Sequence, residues 1–246
     1  AMIIRYLLAA IVAGLISGVL MTGAQEIKVI PLILHAEQYE AGVVGHDHSA
    51  IKALPGLSQL AEHFNPVAEA YAHGGAEEAS GLLFGLSRLG GTLMANLVTG
   101  AGFGLLLLAA SLLTGTNITL KTGVLWGAAG WLAFQFLPAI GLPPELPGSP
   151  AAVLQDRQLW WMVTVFVSAL GLYCLILRDA SWEKALGVLL IAAPHLYGAP
   201  VPDDIASDVP AYLAAEFVVA ALATTAFFWV VLGLFLGGAL DRLGRA

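Results

Sequence analysis

Charge is what this sequence has least of. Only 11% of its 246 residues are Asp, Glu, Lys or Arg, whereas 59% are hydrophobic and the mean hydropathy is +0.84. Soluble domains carry about a quarter charged residues, so this composition excludes an ordinary soluble domain and makes lipid the natural solvent. Cysteine is nearly absent. Cys174 stands alone, which excludes a disulfide or a cysteine metal cluster within one chain and suits a small buried hydrophobe in a spanning helix. Basic patches are missing, and the net charge of −7 is wrong for nucleic acid. Enzyme signatures are missing too. The stretch from Gly115 to Thr122 lacks the second glycine before Lys121 that a phosphate loop needs, and no Gly-x-Ser-x-Gly or His-Glu-x-x-His occurs. No catalytic residue is assigned and the chain is read as a non-enzyme.

What is present is a set of long apolar runs. They cover roughly Ile4–Ala24, Leu89–Leu113, Leu120–Ile140, Leu159–Leu177 and Leu213–Leu240, with a shorter fifth run at about Ala185–Ala199 that contains Pro194 and His195. The five longer runs reach the roughly 20 residues that cross a hydrocarbon core as helix. Backbone polar groups cannot be left bare in lipid, so helices are expected, and no barrel-like alternation appears. The fold class is therefore all-α: a polytopic membrane helix bundle of six spans (five possible) forming one integral domain over 1–246. A long extramembrane segment, 25–89, separates spans one and two. Thr22-Gly23-Ala24 resembles a cleavage site, but the first run is read as a retained membrane helix. Gly-x-x-x-Gly pairs recur within the runs, at Gly14/Gly18, Gly100/Gly104, Gly123/Gly127 and Gly233/Gly237. Such pairs let helices approach closely, either between subunits or within one chain.

The basic residues set the orientation. With six spans and both termini inside, Arg5, Lys121, Arg178, Lys184, Arg242 and Arg245 are cytoplasmic. Lys28, Lys52, Arg88 and Arg157 lie outside on much longer loops, a clear bias per residue. All six histidines then fall on the outer side. Imidazole and carboxylate together suit divalent transition metals. His46-Asp47-His48 is the sharpest short motif. Its two histidines can face one ion only from extended or loop backbone, and Gly42, Gly45 and Pro55 support a loop; the alternative is a solvated polar loop. His35 and Tyr39 share one face of a possible extension of the first helix, and Glu37 and Glu40 share another. These are ligand candidates or the polar side of an interfacial helix. His63, His73, Glu77 and Glu78 show no ligand spacing. His195 lies at membrane depth, where an ionisable group faces a cavity or a partner; the alternative is an interfacial histidine bonded to a carbonyl. Asn96, Thr99, Gln135, Thr164, Thr224 and Thr225 either line a path or bond between helices. Trp160 and Trp161 beside Arg157 read as an interface anchor.

Several stretches together resemble the CbtA family of predicted cobalt transporter subunits. They include Ala9–Leu15, Pro31–Glu40 with His35, the His46-Asp47-His48 loop, Asn96–Gly100, Gly141–Gly148, Arg157–Trp161, Pro194–Pro200 and Phe227-Phe228-Trp229. The resemblance runs nearly end to end. It implies an inner-membrane protein of cobalt uptake, commonly working beside a small CbtB-like subunit with a histidine-bearing tail, and usually described with five spans. With the residue reading, it yields a membrane subunit of a transition-metal transport system. His46, His48, His35, Glu37, Glu40 and His195 are the candidate metal ligands, and cobalt is the suspected ion. The competing expectation is a non-transporting scaffold within a larger membrane complex, motivated by the glycine-rich faces, the absent energy motif and the scarcity of charged groups inside the spans.

Overall fold

The computed structural model describes residues 2–44 and 87–244, side chains excepted at 40–44. All its regular elements are helical. In chain order they are α1 (Met2–Lys28), α2 (Ile30–Val44), α3 (Arg88–Thr114), α4 (Gly123–Gly141), α5 (Leu154–Leu177), α6 (Ser181–Tyr197) and α7 (Ala211–Gly244). Five of them, α1, α3, α4, α5 and α7, are long and apolar enough to cross a membrane. Their outward surfaces are apolar: Val98, Phe166 and Val219 are among many large hydrophobic side chains left exposed, as lipid-facing surfaces require.

The fifth apolar run differs from the other five in length. Helix α6 has 17 residues, about 25 Å of helix, and falls short of a full-length span. It nevertheless returns along α5. Gly187 meets Gly171, His195 faces Trp160, and Ala199 comes back beside Trp160 and Gly141. The architecture is thus five full spans plus one shorter return helix, rather than six equal spans.

Glycine contacts fix how the spans pair. Helices α1 and α3 run antiparallel, with Gly14 against Gly100, Gly18 against Asn96 and Gly104 against Ala10. Helices α4 and α7 do the same through Gly123 against Gly233 and Gly127 against Trp229. The Gly-x-x-x-Gly pairs therefore serve packing within the chain. Lipid gives no hydrophobic drive for association, so close backbone approach supplies the dispersion contacts instead. Between the two pairs lies the core, where Ala10, Ala13, Leu107, Leu108, Phe228, Trp229, Leu232 and Leu236 are buried together. Phe134 stacks on Trp229 with ring centroids 5.7 Å apart, and Phe103 packs against it tilted, at 4.6 Å.

Helix α4 is interrupted. Leu132–Phe136 is π-helical, and the Leu137 amide donates to the Leu132 carbonyl. Pro138 follows directly and offers no N–H to the preceding turn. The wider turn relieves that clash, a usual cause of a bulge in a membrane helix.

The connectivity gives the bundle two distinct ends. Asp241 Oδ2 accepts from the Leu120 amide at 2.9 Å, so the end of α7 lies with the 115–122 turn, and Met2 belongs to this terminal end. At the opposite end, Val29, Ala36, Leu146, Val209, Leu213 and Phe217 form a second apolar cluster. It gathers the α1–α2 turn, α2, the proline-rich 142–150 loop and the start of α7. His35 and His195 both lie at this histidine end.

Candidate functional site

Two groupings of polar residues stand at the histidine end. The first is built on α2. His35 and Tyr39 are one turn apart and their rings lie 5.7 Å apart, as the expected shared face requires. Glu37 points elsewhere. It accepts from Arg88 Nη1 at 3.0 Å and from Nη2 at 3.4 Å, pinning α2 to the first residue of α3. Both partners are well exposed, so this pair positions the helix more than it stabilises it. Beneath it, Asn96 Nδ2 donates to Thr22 Oγ1 at 3.0 Å and to Gln25 Oε1 at 2.6 Å. This is the interhelical bonding expected of Asn96. Glu26, on the next position of α1, has a buried carboxylate oxygen without a partner among the described residues.

The second grouping lies along the α5–α6 seam. Trp160 is buried rather than anchored in the interface, which corrects its sequence reading; its neighbour Trp161 is the more exposed of the two. The His195 ring faces Trp160 edge-on with centroids 6.0 Å apart. Trp160 Nε1, both ring nitrogens of His195, Thr164 Oγ1 and Ser168 Oγ are buried without a hydrogen-bond partner among the described residues. Pro194 precedes His195 inside the helix and leaves the Leu190 carbonyl without its helical donor.

Beside α5, a cavity of about 530 Å³ opens between it and α4, lined among others by Gln135, Pro138, Glu145, Arg157, Gln158 and Trp161. Arg157 Nη2 donates to Glu145 Oε2 at 2.7 Å with both side chains about a quarter exposed. At the terminal end, the α5–α6 turn is closed by Arg178 Nε donating to Glu183 Oε1 at 2.8 Å. This hydrogen bond, and the charge of the same carboxylate, raise the Arg178 guanidinium above its ordinary value.

The candidate ligands are distributed unevenly over these groupings. His35 and Glu37 share α2 but face different partners, and His195 stands on a separate helix at the same end. For Glu40 only the backbone within α2 is described. His46, His48, His63 and His73 lie outside the described residues. Among the described residues no group of three or more His, Cys, Asp or Glu stands close enough to hold a metal ion. Sequence reasoning missed Ser168 and the buried role of Trp160. Their spacing at 160, 164 and 168 was the available signal, since positions four apart share a helix face.

The family model for "Probable cobalt transporter subunit (CbtA)" matches residues 3–241. No curated protein and no solved structure matches the chain.

Proposed function

The chain belongs to the CbtA family of probable cobalt transporter subunits, and on that premise we propose that it is the membrane subunit of a cobalt-type ion transport system that binds the cation on its outer face. The observation that carries this reading is the family match over nearly the whole chain. The bundle supports it with five apolar spans and a histidine end opposite the termini. In this reading the histidine end faces outward and both termini are cytoplasmic in the inner membrane, as the basic residues favour. Outer carboxylates raise the local cation concentration. His46 and His48 capture the ion, with His35 and Glu40 as further ligands, and His195 stands at the entrance to the membrane. Glu37 joins the site only by releasing Arg88. A small CbtB-like subunit or a larger membrane complex is the expected partner.

The scaffold reading has lost one of its motives. The glycine faces that suggested external association are occupied inside the chain.

Calorimetry with Co²⁺ or Ni²⁺ tests the capture step. Purified protein carrying His46→Ala and His48→Ala should bind the ion at least tenfold more weakly than the parent chain. Equal affinity would remove both histidines from the site.

A further inference from the structure

Most hydroxyls with a described partner in the spanning helices donate to a backbone carbonyl. Ser17, Thr22, Thr224 and Thr225 each donate to a carbonyl one turn back on their own helix. This is the usual way to satisfy a hydroxyl where there is no water. Thr164 and Ser168 depart from it. Both residues are fully buried on α5, and neither hydroxyl has a partner among the described residues. One turn nearer the histidine end, Trp160 Nε1 is in the same condition, and His195 opposite it adds two bare ring nitrogens.

These five atoms are not scattered. Trp160, Thr164 and Ser168 stand at four-residue spacing on one face of α5, followed by Gly171. That face receives α6, because Gly171 meets Gly187 and Ile191. The seam also has a floor. A Cβ at Gly171 would lie 2.8 Å from the Gly187 carbonyl oxygen, and one at Gly187 would lie 2.7 Å from that of Gly171. The two backbones touch there and close the seam toward the terminal end. Cys174 lies beyond this contact, packed against Gly187. At the other limit, His195 is two residues from the end of the helix at Tyr197.

Buried polar groups without partners are costly, above all in hydrocarbon. A small polar guest entering from the histidine end would relieve the set. The set's composition indicates which. An imidazole nitrogen is a ligand for a transition metal. The two hydroxyls can accept from water held in the coordination sphere of an ion, and the indole N–H can donate to a water outside that sphere. One protein ligand plus retained water binds weakly, as a site that must also release its ion requires.

We propose that the α5–α6 seam is a binding station for a hydrated divalent cation, ligated by His195, with the ion's water molecules donating to the hydroxyls of Thr164 and Ser168 above the Gly171–Gly187 floor. The proposal rests on the transport reading above and places a second station deeper than the His46/His48 loop.

Cysteine accessibility in the full-length chain tests it, with Cys174→Ser as background and CoCl₂ as the only added metal. A charged, membrane-impermeant thiosulfonate applied from outside should modify S168C, and Co²⁺ should slow that reaction at least fivefold. Adding H195Q should abolish the protection, while F166C, on the lipid-facing side of α5, should stay unmodified. T164C serves if S168C does not reach the membrane. An S168C as unreactive as F166C would mean a dry seam and overturn the proposal. So would protection that is absent, or that persists in H195Q. The transport reading fails separately, through absent cobalt uptake by the parent chain with its partner, whatever the labelling shows.

Discussion

Replacing Gly100 by alanine should pry α1 from α3. The new methyl group would run into the Gly14 carbonyl, which is backbone in another helix and cannot swing aside. Relief requires the helices to part by roughly an ångström, enough to forfeit about a quarter to a half of each dispersion contact. With roughly 20–30 carbon pairs along the contact at about 0.1–0.2 kcal/mol each, the loss is about 0.5–3 kcal/mol. This overlaps the roughly 1–3 kcal/mol typical of overpacking. A control lies two residues away on the same helix. A Cβ at Gly102 would meet nothing within 4 Å, so G102A leaves the packing intact and removes a helix-interior glycine, a gain of up to about 1 kcal/mol. Dodecyl sulfate titration in mixed micelles, followed by tryptophan fluorescence, reads both. The midpoint should fall for G100A and hold or rise for G102A. Equal midpoints for the two variants would refute the claim that the glycine pair is an intrachain contact.

Three further outcomes are expected. Asn96→Leu removes the bonds to Thr22 and Gln25 and should cost about 1 kcal/mol in the same titration, the usual worth of an interhelical hydrogen bond in lipid. Trp229 is fully buried among Phe103, Phe134 and Phe228, so W229A should cost about 3–5 kcal/mol. Arg245→Cys, made with Cys174→Ser, should resist an impermeant thiol reagent in intact cells and react once they are opened; reaction from outside would reverse the proposed orientation.

The spans were legible because each is a long, nearly uncharged run, and length in a hydrocarbon slab is decisive. Segment five was legible as an anomaly for the same reason. Its role as a return helix was not, because that depends on Gly187 finding Gly171 across the α5–α6 turn. The π-helical stretch before Pro138 was also hidden; a proline signals disturbance but not its form. At the site, the shared face of His35 and Tyr39 followed from helical spacing. The pairing of Glu37 with Arg88 did not, since 51 positions separate them and only the fold brings α2 to the start of α3. Thr164 was visible as a polar residue in a span. Its lack of a partner became visible only once Ser17, Thr22 and Thr224 were seen bonding to their own helices.

The central proposal is that this chain is the membrane subunit of a cobalt-type ion transport system. Cobalt uptake into proteoliposomes tests it most directly, with the full-length chain reconstituted alone and with a small CbtB-like subunit. Accumulation of Co²⁺ well above protein-free vesicles, reduced when His46 and His48 are both alanine, is the expected result. No uptake in either preparation, together with tight co-purification in a large complex, would contradict the account and make the chain a scaffold.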